Sequence, residues 1–272
     1  MLLPLGDRHI HYDLLGRQGA SVVCLAHALS ADTGIWAEQV PPLLAAGWRV
    51  LRLDMRGHGG STPGEDEVYT MQGLAADVVA VLDDLGLDAV HFAGLSIGGM
   101  IGQVLAVEHP ERLLSAMLCD TAPTTIPGGK ATWDERFAAI AKAGSVEPLA
   151  DATLQRWLTE DFQRANPARY REVWSSIALT SPQGYIGGGN AILHFDSRPH
   201  LASVKVPTFV VWGDQDPGTP PEGNQLIADL IPGAGSHVFR GARHVPMVEY
   251  PEDFSAVMLD WLMRLRSGSC SV

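Results

Sequence analysis

The stretch HFAGLSIGGM, residues 91–100, constrains this chain more than any other. An apolar run, AVHFAG, leads straight into a serine set among glycines, and a helix-compatible stretch, GMIGQVLAVEHP, follows. Its centre, Gly94-Leu95-Ser96-Ile97-Gly98, fits the pattern G-x-S-x-G. On the order of 0.2 chance matches are expected in a chain this rich in glycine, so the pattern alone is weak. Its place between strand and helix gives it weight. A serine on a sharp strand-to-helix turn has strained backbone angles, and side chains two positions to either side would collide with the neighbouring helix and strand. Glycine avoids that collision. The same turn puts the hydroxyl at a helix N-terminus, where N–H groups without intrahelical partners stabilise a developing anion.

Short apolar runs alternate with helical patterns through most of the chain. SVVCLAHA (21–28), WRVLRLD (48–54), AVHFAGL (89–95), LLSAMLCD (113–120), PTFVVWGD (207–214) and SHVFRGA (236–242) are bounded by turn residues and read as strands. Their near-continuous apolar character predicts burial on both faces, as in a mainly parallel sheet. HIHYDLL (9–15) predicts antiparallel edge pairing at the start. MQGLAADVVAVLDDLGL (71–87) repeats apolar residues every three or four positions and predicts an amphipathic helix that stops at Gly86. Alternation of this kind specifies an α/β fold with right-handed crossovers. Between 122 and 203 the rhythm changes: TWDERFAAIAKAG, PLADATLQRWL and ARYREVWSSIAL read as helices with no strand-like run between them. Residues 1–121 and 204–272 are therefore expected to form the core. Residues 122–203 are expected to cap the sheet's C-terminal edge, where open α/β sheets bind ligands.

Composition removes whole classes of function. Forty-six per cent hydrophobic and 18% charged residues describe a protein with a large core, and a net charge of −12 with no basic stripe argues against nucleic acid as a partner. Cys24 and Cys119 lie in apolar runs and Cys270 in a polar tail, so reduced thiols are expected and a disulfide framework is not. The opening segment is too short in apolar length for a signal peptide, and no later run is long enough to span a membrane, which makes the cytoplasm the expected location. Neither a metal nor another cofactor is called for. A homodimer stays open.

A serine hydroxyl is a poor nucleophile until a base takes its proton. Of ten histidines, His244 follows the last strand and precedes the final helix, a placement that delivers it to the same sheet edge. Asp216, in VVWGDQDPGTPP just past the preceding strand, is the expected carboxylate that fixes the imidazole tautomer. The order Ser, Asp, His then agrees with one particular strand-helix architecture. Asp214 lies too near its strand end and is expected to cap the turn. Asp120, ending LLSAMLCD, is the serious rival. The backbone N–H of Ile97 and one from AHALSADTGIW, with Leu29 as the expected donor, would form the oxyanion hole. His27 is placed beside the substrate.

HAL (27–29), DMRGHGGS (54–61), GLSIGGMIGQ (94–103), GDQDPGTPP (213–221) and RHVPMVEYPEDF (243–254) together resemble the α/β-hydrolase family with a helical cap. That resemblance implies a mostly parallel eight-stranded sheet flanked by helices, and a structural role for DMRGHGGS. Within the family, GLSIGGMIGQ, TWDERFAAIAKAG and SPQGY are most similar to 3-oxoadipate enol-lactonases and related small carboxylesterases. The likeness would set Trp133 and Arg136 against the substrate. A positive pocket would suit a carboxylated lactone, with Arg136 and Arg56 as candidate cations. Two departures stand out: Ala26-His27-Ala28-Leu29-Ser30 replaces a Ser-Asn-Ser-Leu-Gly-like loop, and the glycines of GYIGGGNAI (184–192) would widen the pocket mouth. The first expectation is a cofactor-free serine hydrolase for a small-molecule ester or lactone. A macrolide esterase using the same triad is the alternative. From other classes come cofactor-independent dioxygenase or haloperoxidase-like chemistry, and a non-catalytic binding protein on the same scaffold, ranked last because all three triad residues are present.

Overall fold

The structure is a computed structural model that describes residues 1–65, 68–125 and 129–267. Eight strands form one sheet: β1 (Leu2–Leu5), β2 (Arg8–Leu15), β3 (Val22–Ala26), β4 (Arg49–Leu53), β5 (Val90–Leu95), β6 (Leu113–Cys119), β7 (Thr208–Gly213) and β8 (Gly235–Phe239). The helices are α1 (Val40–Ala45), α2 (Met71–Asp84), α3 (Ile97–Glu108), α4 (Gly129–Ala143), α5 (Ala150–Trp157), α6 (Glu160–Ala165), α7 (Pro167–Leu179), α8 (Pro182–Leu193), α9 (Pro221–Leu230), α10 (Pro246–Glu249) and α11 (Pro251–Arg266).

The strand order is β1-β2-β4-β3-β5-β6-β7-β8. The β1–β2 and β2–β4 pairs are antiparallel, and every pair from β4 to β8 is parallel. The six predicted strands of the mainly parallel sheet and the antiparallel start therefore agree with the structure. β1 was not resolved in the sequence, because LLPL is a four-residue edge strand carrying a proline and half exposed, which leaves no run of buried positions to read. Strands β3 and β5 are buried at every position, as the unbroken apolar runs require. Cys24 and Cys119 sit in β3 and β6 as buried free thiols, while Cys270 lies outside the described residues.

Helix α2 shows how local sequence sets its own limits. Thr70 caps its start by accepting the Gly73 N–H at 3.0 Å. Gly86 adopts φ 61° beyond its end, with Leu87 N–H donating to Leu82 O at 2.9 Å and Gly86 N–H to Asp83 O at 3.0 Å, the paired bonds of a Schellman stop. Along its length, helix α3 lies against β5 and β6.

Connectivity reverses on either side of β3, whose neighbours are β4 and β5. A crevice opens at such a switch point outside the strands' carboxyl ends. The described residues between β6 and β7 hold helices α4 to α8 and no named strand. The chain's way out and back are tied together by an isolated bridge between Thr124 and Asp196 and by Ser197 N–H donating to Pro123 O at 2.8 Å. None of the described helices is long and apolar enough to cross a membrane.

The glycine run 187–189 differs from its expectation. It forms the middle of α8 and is buried throughout. A Cβ on Gly187 would meet the Tyr69 ring at 2.6 Å, one on Gly188 Leu29 Cδ1 at 2.6 Å, and one on Gly189 the Phe137 and Trp133 rings at 2.8 Å. These glycines close a gap and do not widen a mouth. Three glycines cost a helix roughly 1 kcal/mol each; the cap Ser181, whose hydroxyl accepts Gly184 N–H at 2.9 Å, Pro182 at the first position and the tight packing hold it.

Candidate active site

Ser96 joins β5 to α3 with φ 57° and ψ −115°, an angle pair that L residues rarely adopt. Its neighbours hold it there: Ser96 N–H donates to Cys119 O at 2.9 Å, and its carbonyl accepts the Met100 N–H at 3.0 Å and the Thr121 hydroxyl at 2.7 Å. The glycines have the predicted purpose. A Cβ on Gly94 would lie 2.1 Å from Gly98 O, and one on Gly98 2.6 Å from Ala26 O. Each would drive the turn into its own helix or into β3. Ile97 is the first residue of α3, so its N–H has no acceptor within the helix.

Asp216 and His244 meet on loops that lock to each other. Gly213 ends β7 where a Cβ would lie 2.3 Å from Arg243 O, so only glycine lets the histidine loop pass. Gln215 N–H donates to Ala242 O at 2.9 Å, and Arg243 N–H to the Glu249 carboxylate at 2.7 Å. The Asp216 carboxylate accepts Gly218 N–H at 2.7 Å and Thr219 N–H at 3.2 Å on one oxygen, and lies 2.7 Å from His244 Nδ1 on the other. A carboxylate only accepts, so Nδ1 carries the proton and Nε2 keeps its lone pair. The Trp157 ring lies 5.6 Å from the imidazole, which is 4% exposed.

Asp214 accepts Gly241 N–H at 2.7 Å and closes its turn, as expected. Asp120, fully buried at φ 40°, bonds through Oδ1 to Gly213 N–H at 2.8 Å, so the direct partner of His244 is Asp216.

Ser96 and His244 line one cavity of about 400 Å³ together with Leu29, Trp133 and Arg136. Leu29 reaches it from the loop after β3, and Trp133 and Arg136 from α4. Two expectations fail. His27 is fully buried and does not line the cavity: its Nδ1 donates to Ala28 O at 2.7 Å and its Nε2 accepts the Met55 N–H at 2.9 Å, leaving no nitrogen for a substrate. Arg56 likewise stands apart. Its guanidinium pairs with Asp77 on α2 and donates to Gly73 O at 3.0 Å, which gives DMRGHGGS the structural role it was expected to have. His58 in the same loop is held neutral by burial, its pKa pushed down to about 3.

Arg156 was missed. It lines the cavity from α5 and donates to Thr153 Oγ1 at 3.0 Å, and neither it nor Arg136 has a carboxylate within ion-pair distance among the described residues. Burial and then the Arg136 guanidinium draw its pKa down, yet an arginine stays charged. The Arg136 guanidinium lies over the Trp133 ring at 4.9 Å. Tyr185 lies beside them, its phenol raised by burial against the opposing pull of both guanidiniums. Nothing in the spacing of PLADATLQRWL marks which face of that helix turns inward, so only Thr153 and Trp157 at the same cavity identify it afterwards.

Comparison with known proteins gives a consistent picture. The alpha/beta hydrolase fold family matches residues 21–251. A 3-oxoadipate enol-lactonase of Acinetobacter baylyi is 31% identical over 88% of this chain and 87% of its own. The enol-lactonase of Burkholderia xenovorans superposes with a TM-score of 0.91 at 31% identity, covering 97% of this chain and 100% of that one. A hydrolase from Pseudomonas aeruginosa superposes with a TM-score of 0.91 at 32% identity, over 96% and 97% of the two chains.

Proposed function

This chain belongs to the alpha/beta hydrolase family and is a carboxylic ester or lactone hydrolase, and from that premise we propose that it opens a small, carboxylate-bearing lactone through a covalent acyl-enzyme. The observation that carries this reading is the shared cavity in which Ser96 and His244 meet two guanidiniums without carboxylate partners.

The steps follow from the atoms present. His244, its Nδ1–H donated to Asp216, takes the Ser96 proton on Nε2 as Oγ attacks the lactone carbonyl. The Asp216 charge stabilises the imidazolium that results. Negative charge gathers on the former carbonyl oxygen, where the N–H groups of Ile97 and Leu29 receive it. Collapse breaks the ring C–O bond, and the imidazolium returns the proton to the leaving oxygen, which stays tethered to the acyl group. Water, deprotonated by His244, then releases the ring-opened acid and restores Ser96.

Arg136 and Arg156 hold the substrate's carboxylate, aided by Trp133, so residues 122–203 act as a cap over the core of 1–121 and 204–272. A guanidinium pair costs electrostatic energy until an anion sits between its members. The cavity lies near the small end of the roughly 300–1,000 Å³ typical of small-molecule sites, and the closed glycine run removes the feature that favoured a macrolactone.

The test uses a carboxylated enol-lactone and its methyl ester. The acid form should be opened with a kcat/KM at least about tenfold higher than the ester form, since a charged hydrogen-bonded pair contributes about 1.5–3 kcal/mol. Equal rates would overturn the carboxylate reading. A fluorophosphonate should label the protein but not its Ser96→Ala variant; failure to label would favour cofactor-independent dioxygenase chemistry, which needs no activated serine.

A further inference from the structure

Two carboxyl groups, not one, stand beside His244. Atoms of Asp120, Asp216 and His244 all lie within 4.8 Å of one another, and all three residues are buried. Asp216 carries the direct bond to Nδ1. Asp120, on the strand end before it, has one oxygen bound to Gly213 N–H and the other buried with no hydrogen-bond partner among the described residues. Burial first, then the charge of Asp216 and more weakly that of Glu249, hold its carboxyl well above the usual carboxylate range. A buried carboxyl oxygen without a partner costs stability that an alanine would not. Its backbone is also held at φ 40°, by Asp120 N–H on Val211 O at 2.9 Å and the Thr219 hydroxyl on Asp120 O at 2.7 Å.

The Thr219 hydroxyl bridges the Asp216 carboxylate and the backbone carbonyl of Asp120. It lies 2.5 Å from Asp216 Oδ2 and 2.7 Å from Asp120 O, and its single proton serves one of them at a time. We propose that this site carries two carboxyl groups able to orient His244, with Asp216 in use and Asp120 in reserve as a positioning residue. The inference rests on the proposed triad. Like charges this close cannot both ionise at low cost, so the first carboxylate adds to burial in keeping the second protonated. Removing the first lifts that repulsion, and the Nδ1–H of His244 offers the compensation for burial that Asp120 Oδ2 lacks: Asp120 loses its proton, turns that oxygen by less than the span of the cluster, and accepts the Nδ1–H. No bond to carbon changes in this step; one proton leaves to solvent.

The test is a double-substitution cycle on p-nitrophenyl acetate. Asp120→Asn should lower kcat by less than about tenfold, and Asp216→Asn by about 10²–10³, short of the roughly 10⁴ that follows when a histidine loses its only carboxylate. Asp120→Asn added to Asp216→Asn should then cost at least a further tenfold or so beyond its effect alone, with KM changed less than about twofold. A merely structural Asp120 would cost the same factor in both backgrounds, and that result overturns the proposal. So does an Asp120→Asn loss as large as that of Asp216→Asn, which would make Asp120 the working acid. If the double variant fails to fold, proton NMR of Asp216→Asn decides: a strongly downfield Nδ1–H resonance of His244 supports a replacement carboxylate, and its loss overturns one. Ser96→Ala separates the premises, because activity surviving that change would remove the triad itself, whereas its abolition with an additive cycle removes the reserve acid alone.

Discussion

The Asp216 carboxylate is met by two backbone N–H groups, the Thr219 hydroxyl and His244, whereas Arg156, which lines the cavity along with His244, donates to Thr153 and faces a second cation. The first group belongs to loops fixed by backbone bonds at strand ends. The second belongs to helices α4 to α8, which meet the rest of the chain largely through side-chain contact and glycine-mediated close approach. Chemistry needs atoms held to fractions of an ångström, and strand-end loops with many converging bonds provide that. Recognition of a substrate tolerates looser support, since the ligand completes the electrostatics itself. The contrast predicts that changes below the cavity harm all substrates alike, and that changes above it sort one substrate from another.

The largest expected effect lies below. Ser96→Ala should lower kcat by roughly 10⁵ on lactone and on p-nitrophenyl acetate alike, with unchanged circular dichroism, because the hydroxyl adds little to packing at that turn. Near wild-type turnover on either substrate would break the comparison at its base. Above the cavity, Arg156→Gln should raise KM for a carboxylated lactone by about 10–100-fold through loss of a charge-assisted contact. On p-nitrophenyl acetate the same change should cost less than about threefold. Equal losses on both would mean that Arg156 supports the helices and does not read the substrate.

The seam between the two regions is the next test. Gly57 and Gly184 approach so closely that a Cβ on Gly184 would lie 2.7 Å from Gly57 Cα, and Ser181 N–H donates to Gly57 O at 2.9 Å across the contact. Gly184→Ala must push backbone from backbone and should destabilise by about 1–3 kcal/mol, read as a lower Tm with residual p-nitrophenyl acetate cleavage per folded molecule. An unchanged Tm would show that the helices sit more loosely than the contact indicates. The smallest effect concerns strain. Ser96→Gly should melt above Ser96→Ala by an amount on the order of 1 kcal/mol, because glycine accepts φ 57° without a Cβ penalty. A lower Tm for Ser96→Gly would remove strain from the account of that turn.

Much of the strand region was legible because its constraints are local. G-x-S-x-G after AVHFAG states a strand, a tight turn and a helix in ten positions, and the glycine collisions inferred from that pattern appear at Gly94 and Gly98 with their partners identified. The order of Ser96, Asp216 and His244 along the chain could be read against strand ends for the same reason. His27 and Arg56 were misplaced because their residue types suggest contact with a ligand, while their backbone and Asp77 partners come from segments that the sequence does not align. The glycines of α8 misled in the opposite sense, since a run without side chains reads as open space until the rings that fill it are known.

By itself, then, the sequence determined the alternation of strand and helix, the strained serine turn, and the succession of polar groups delivered to one sheet edge. Each depends on residues within a few positions of one another, where backbone sterics and hydrophobic period act directly. Only the tertiary structure decided that Asp216 and not Asp120 bonds His244, that Arg156 joins Arg136 in lining the cavity, and that Gly187, Gly188 and Gly189 seat a helix against Tyr69, Leu29, Phe137 and Trp133. Those outcomes turn on distances between segments some 20 to 160 positions apart, which packing fixes and local preference does not encode.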